Sequence, residues 1–397
     1  MRGRTPSNSP GSLRSLILWL MIYVHVPFCR SFCTYCDFYS ERACPTEAYV
    51  EGVLREAVNR KDEIAATSAV NTLYFGGGTP SVLPPAVIGR IADACGGRSY
   101  DEWTVEVNPD DITPEYAASL RALGVNRVSM GVQSLDDGML RWMARRHDAD
   151  GARRAFRVLR EAGFDNISVD IIFGVGGMSE AMLDATAREL LEWRPEHISA
   201  YQLSIEEGSA LGRLVREGRY AELPDDACAA QYGLLCRLLR DAGYEHYEIS
   251  NWALPGRRAI HNSAYWTRAP YVGIGPGAHS LARIPTAAVE KAETGHPAPG
   301  SVSTLGHVRG RGPQAERSGR DERSEDLWSG MPGEANCRSW NSEELSGWSA
   351  TSEVLTEEEI REEKIMLGLR TAEGIPGYGR IPEDRWFTAD DIISSLI

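Results

Sequence analysis

Tyr23-Val24-His25-Val26-Pro27-Phe28-Cys29-Arg30-Ser31-Phe32-Cys33-Thr34-Tyr35-Cys36-Asp37-Phe38 is the stretch that decides the fold. A short β-branched run delivers three cysteines, in Cys-x3-Cys-x2-Cys spacing, onto a loop. Four-cysteine zinc sites and ferredoxin-type clusters use four thiolates. Three thiolates on a four-iron cluster leave one iron open to an outside ligand. Free cysteines are often buried as small hydrophobes, but Arg30, Ser31, Thr34 and Asp37 make this a polar, exposed loop. Cys44, Cys95, Cys228, Cys236 and Cys337 show no paired spacing and follow no credible secretory signal. A reducing cytoplasm is therefore the expected compartment.

Outward from the loop, six runs read as strands: Ile22–Val26, Thr72–Phe75, Trp103–Val107, Arg127–Gly131, Asn166–Phe173 and His197–Leu203. Helical periodicity fills the intervals, as in Tyr116-Leu120-Leu123 and Ala152-Phe156-Leu159. Strand–helix alternation implies parallel pairing through right-handed crossovers. Six units predict an incomplete (β/α)6-type barrel of α/β class, with its chemistry at the C-terminal strand ends. Unusual residues collect at those ends: Gly76-Gly77-Gly78-Thr79-Pro80, Glu106-Val107-Asn108-Pro109, Gly131-Val132-Gln133-Ser134, and Asp170 within the fifth strand. Gly77 and Gly78 suit close backbone approach to a ligand. Glu106, on a half-buried surface, needs a cation or hydroxyls as partners. Gln133 and Asp170 suit ribose hydroxyls, and Arg145 suits a carboxylate.

The cysteine spacing at the end of a first strand resembles the radical S-adenosylmethionine superfamily, which implies a [4Fe–4S] cluster on Cys29, Cys33 and Cys36 that reductively cleaves S-adenosylmethionine. From about Ile22 to Ser280 the order of motifs is similar to the coproporphyrinogen-oxidase-like family of that superfamily. By that resemblance Tyr23, Gly77, Gly78, Thr79, Glu106, Gln133, Arg145 and Asp170 contact the cofactor. Two features favour the heme-chaperone branch. Oxygen-independent oxidases carry a further cysteine two places after the third ligand, where this chain reads Cys36-Asp37-Phe38. The run His261-Asn262-Ser263-Ala264-Tyr265-Trp266 matches the signature proposed for heme attachment, which makes His261 the implied heme contact, with His25 and His279 as weaker candidates. The resemblance implies heme, client heme proteins such as respiratory cytochromes, and an electron donor for the cluster as partners. The alternative it leaves is an oxygen-independent coproporphyrinogen III oxidase.

At 397 residues, with 42% hydrophobic and 25% charged residues, the chain has ample material for a core. A net charge of −14 argues against a general nucleic-acid binder. Residues 1–21 read as a leader, with Met21 as a candidate true start and a peripheral membrane contact as the weaker alternative. The apolar run 16–22 is shorter than the roughly 20 residues of a membrane span. Residues 22–225 are assigned to the barrel and 226–280 to a family-specific region. Residues 281–352 lack helical or strand period and are expected to be a disordered low-complexity insertion. Residues 353–397 open a small helical C-terminal domain that is expected to be truncated, with Thr356 as N-cap and Glu359 completing a capping box.

Overall fold

The computed structural model describes residues 21–42, 45–66, 70–97, 99–285, 334–345 and 347–397. The expectations for the leader and for residues 286–333 lie outside the described residues, except for Met21. Six strands, β1 (Met21–Val26), β2 (Thr72–Gly77), β3 (Glu102–Val107), β4 (Arg127–Gln133), β5 (Ile167–Phe173) and β6 (His197–Gln202), pair in parallel in sequence order. Strands β7 (Glu245–Glu248), β8 (Asn251–Ala253) and β9 (Val272–Ile274) extend the sheet. β9 adds in parallel beside β1, while β8 lies antiparallel to β6 and β7 antiparallel to β8. β1 and β6 carry other partners, so the barrel is open, as six units predict.

The sheet alternates with period 2, and both of its faces are covered. Ile22, Val24, Leu73, Phe75, Trp103, Val105, Val128, Met130, Val169, Ile171 and Ile198 join one hydrophobic core with residues of the surrounding helices. Their sequence neighbours, Tyr23, Tyr74, Glu106, Arg127, Ser129, Asp170 and Ser199, stand on the opposite face. Register aligns these polar positions: Tyr23 with Tyr74, Glu106 with Ser129, and Asp170 with both Gly131 and Ser199. The helices between strands begin where side chains cap them. Thr113, Asp148 and Ser179 each accept a backbone N–H from the first turn, and Gly124 closes the helix Pro114–Leu123 in a left-handed conformation.

The expectation of disorder is corrected for its described part. β10 (His279–Pro285), β11 (Glu334–Asn341) and β12 (Ala350–Val354) form a second, antiparallel sheet. Trp348, within the stretch that lacks helical or strand period, anchors the segment after β11. Its ring lies so close to Gly52 that a Cβ there would be 2.6 Å away, and its indole N–H donates to Glu56 at 2.6 Å. Asn341 donates to the same carboxylate at 2.9 Å. Burial against a distant helix, not local period, supplies the order. The helix Glu357–Gly368 has the expected capping box at Thr356 and Glu359. Ile365, Leu369, Trp386 and Ile393 of the C-terminal segment join the main core.

Candidate functional site

Parallel strands share one direction, so the ends of β1 to β5 open into one mouth. The cysteine loop leaves β1 there. Its two ends are tied by Cys29 N–H to Glu41 O at 3.0 Å and Glu41 N–H to Pro27 O at 2.5 Å. Thr34 anchors its middle, donating its N–H to Met143 O at 3.1 Å and its hydroxyl to Trp142 O at 2.9 Å. Cys29 is nearly buried, with its sulfur 3.4 Å from the Thr79 hydroxyl, and Arg145 Nη1 donates to the Cys33 sulfur at 3.4 Å. Burial pushes the Cys36 thiol up to about 11, with Cys33 and Cys29 nearby adding to the rise, and burial raises Cys29 as well. Bare thiols so placed resist ionisation. A bound cationic centre is what would turn them into thiolate ligands.

The glycine triplet has a different immediate role from the one its sequence suggests. Gly77 has φ +110°, and a Cβ there would lie 2.7 Å from the His25 ring. At Gly78 it would lie 2.9 Å from Phe28 O, and the Gly78 N–H donates to Val26 O at 2.9 Å. These glycines let β2 close upon the cysteine loop. What approaches them is the protein's own backbone and His25.

Below the loop, Tyr23 stacks on Tyr74 at 6.0 Å, and the Tyr74 hydroxyl donates to Glu106 at 2.7 Å. Burial raises Glu106 to about 7, opposed by the Tyr74 and Gly77 hydrogen bonds. Burial likewise raises Asp170 to about 6, against hydrogen bonds from Ser199 and Ser129, whose hydroxyl is 3.3 Å away. Gln133 sits at a β-bulge with φ +65°, a conformation rare for a residue with a side chain. A Cβ on Gly131 would be 2.9 Å from the Gln133 amide nitrogen and 3.2 Å from Arg145, so Gly131 makes room for both side chains. Arg145 Nη2 donates to Gly131 O at 2.7 Å, while its buried Nε has no partner.

These features test whether S-adenosylmethionine fits. An unsatisfied buried guanidinium donor suits its carboxylate. Two buried carboxyls with raised pKa suit its ammonium group and ribose hydroxyls. The structure thus brings Tyr23, Cys29, Cys33, Cys36, Gly77, Gly78, Thr79, Glu106, Gln133, Arg145 and Asp170 to one mouth, and the donor set fits the group.

Residues 23–190 match the model of the radical SAM superfamily. The heme chaperone HemW of Bacillus subtilis is 34% identical over 266 residues, which cover 65% of this chain and 69% of that protein. HemW of Mycobacterium tuberculosis is 36% identical over 270 residues, covering 65% and 68%. The chain belongs to the HemW family. HemW of Escherichia coli, 33% identical over 287 residues, covers 70% of this chain and is itself covered to 74%. Among solved structures, Escherichia coli coproporphyrinogen III oxidase aligns with a TM-score of 0.65 at 18% identity, over 95% of this chain and 81% of that one. That likeness carries the fold.

One implied contact of the HemW signature lies behind the mouth, against Tyr74. His261 is 1% exposed, on the helix Ile260–Trp266. Its Nδ1 pairs with the Thr72 hydroxyl at 2.7 Å and its Nε2 with the Tyr265 hydroxyl at 2.9 Å. Its ring stacks on Tyr74 at 5.0 Å, and burial lowers its pKa to about 3. As placed, both His261 nitrogens are taken by hydroxyls, and the residue holds its helix against β2. His25 is committed in the same way, to the Tyr23 hydroxyl at 3.1 Å and Tyr39 O at 3.2 Å. His279 is exposed.

Sequence reading missed the second tier of this HemW-family site. Arg127, 1% exposed, is a buried cation facing Glu102 and Asp170, and Glu102 also accepts the Ile260 and His261 N–H groups at 2.7 and 3.1 Å. Its signal was present as period 2: Glu102, Thr104 and Glu106, then Arg127, Ser129 and Gly131, are alternate positions on one face of otherwise apolar strands.

Proposed function

We propose that this chain is a heme chaperone that binds heme, a [4Fe–4S] cluster and S-adenosylmethionine, and passes heme to client heme proteins. The carrying observation is family membership: the relatives matched over about two thirds of their length bear the name heme chaperone. Cys29, Cys33 and Cys36 would hold the cluster, with Arg145 toward the carboxylate of S-adenosylmethionine, Glu106 toward its ammonium group, and Gln133 and Asp170 toward its ribose. When bound, the pair supplies one-electron radical chemistry. Phe38, 75% exposed, occupies the place where the oxidases carry a cysteine, which supports the chaperone reading over the oxidase.

Clients of respiratory cytochrome type and an electron donor for the cluster complete the proposal. Among the described residues no helix is long and apolar enough to cross a membrane. The test is to incubate the anaerobically reconstituted chain with hemin, and separately with coproporphyrinogen III, S-adenosylmethionine and reductant. A stable stoichiometric heme complex and no decarboxylated product are expected. Decarboxylation at a catalytic rate would overturn the reading. Loss of heme in His261→Ala, with the fold intact, would mean that the helix Ile260–Trp266 releases its histidine on binding.

A further inference from the structure

Far along the chain from the cysteine loop, three side chains from three segments meet where the C-terminal segment docks on the end of the large sheet. Cys236 comes from the helix Asp225–Asp241, His246 from β7, and Glu383 from the start of the short 3-10 helix Glu383–Thr388. One sulfur, one imidazole nitrogen and one carboxylate oxygen lie within 4.8 Å of one another. Cys236 is 8% exposed, and the His246 side chain is 5% exposed against 38% for Glu383, so the cluster is buried on the protein side and open at the carboxylate.

The hydrogen bonding of His246 is the informative detail. Nδ1 lies 3.0 Å from Glu383 Oε1, and Nε2 lies 3.2 Å from the carbonyl oxygen of Ile249. The Tyr232 hydroxyl already donates to that carbonyl at 2.8 Å. Nε2 also lies 3.4 Å from the Tyr232 hydroxyl, so a neutral ring is satisfied with its one proton on either nitrogen. The ring is also clamped between Trp252, stacked at 4.0 Å, and the edge of Trp386 at 4.2 Å. Burial there lowers the His246 pKa and favours the neutral ring. With the proton on Nε2, toward Ile249 O, the Nδ1 lone pair turns to the side where the Glu383 carboxylate and the Cys236 sulfur lie. Metal-bound histidines show this arrangement, with one nitrogen on the ion and the other N–H held by a backbone carbonyl.

We propose that Cys236, His246 and Glu383 form a zinc-class metal site that fastens the C-terminal segment to the end of the sheet. A thiolate, an imidazole and a carboxylate form a borderline-soft donor set that suits zinc and not magnesium or calcium, which take oxygen ligands. Metal binding would displace the Cys236 thiol proton. Arg240 Nη2 is 2.7 Å from Glu383 Oε1, the oxygen that also faces His246, and fixes the carboxylate beside the ring. Bound metal favours the folded chain over the unfolded one and raises its melting temperature.

The test is zinc titration by calorimetry of the full, cluster-loaded chain, followed by zinc-edge X-ray absorption. One zinc per chain is expected, with a single sulfur at about 2.3 Å and nitrogen or oxygen at about 2.0–2.2 Å. Glu383→Gln alters an exposed carboxylate and leaves the core intact. It should weaken zinc binding by about tenfold or more, the loss that even an outer-shell partner produces, with iron content and S-adenosylmethionine binding unchanged. Three results would each overturn the proposal: no zinc uptake by the cluster-loaded chain, a three-sulfur shell showing zinc in the cysteine loop, or unaltered affinity in Glu383→Gln.

Discussion

Glu106→Gln should make the ligand-free chain more stable at alkaline pH while it weakens S-adenosylmethionine binding. Burial lifts the Glu106 carboxyl from an ordinary 4.5 to about 7, in spite of the hydrogen bonds from Tyr74 and Gly77. The folded chain therefore holds this proton in a pH range where the unfolded chain has lost it. Stability falls as pH rises from about 4.5 toward 7, and the full cost is present above 7. A rise of that size corresponds to about 3 kcal/mol. This is an upper limit, because the mouth of the site admits water.

Glutamine keeps the shape and still accepts the Tyr74 hydroxyl, but carries no charge to desolvate. At pH 8.5 the variant should gain about 1–3 kcal/mol, or several degrees in melting temperature. At pH 5, where Glu106 is itself largely protonated, the gain should shrink toward zero. Urea unfolding of both proteins, cluster-loaded and anaerobic, at the two pH values measures this, since titrating groups other than Glu106 and its coupled neighbour Asp170 cancel between them. Calorimetry at pH 8 should show weaker S-adenosylmethionine binding in the variant. A stability difference that is the same at both pH values, or that disfavours the variant at pH 8.5, would refute the assignment of Glu106 as a strained, ligand-facing carboxylate.

Asp170→Ala should reduce S-adenosylmethionine affinity about tenfold or more, since a hydrogen bond to a charged group is worth about 1.5–3 kcal/mol. In the parent, affinity should also decline as pH falls through about 6, where the buried Asp170 carboxylate takes up its proton. Unchanged affinity on calorimetric titration of the variant would remove Asp170 from the site. Cys33→Ala should take up little or no iron and sulfide on anaerobic reconstitution, since it deletes one of three thiolates and the sulfur contacted by Arg145. A full complement of iron would sink the cluster assignment.

Local spacing determined a large part of this protein. The cysteine interval, the alternation of strand and helix runs, and the polar residues at strand ends are all short-range properties. Each is encoded within one turn, one strand or one loop, so the open six-strand unit and the cluster loop were legible before any contact was known. The capping box at Thr356 and Glu359 was legible for the same reason. Tertiary structure decided which side chains meet. Arg127 faces Glu102 and Asp170 only through strand register, and His261 is sealed because Thr72 and Tyr265 each take one of its nitrogens. Trp348 orders an aperiodic segment by filling the space beside Gly52, and Glu383 meets Cys236 and His246 from a segment 137 residues beyond the histidine. Such partnerships depend on how separate elements pack, and no periodicity within any one of them carries that information.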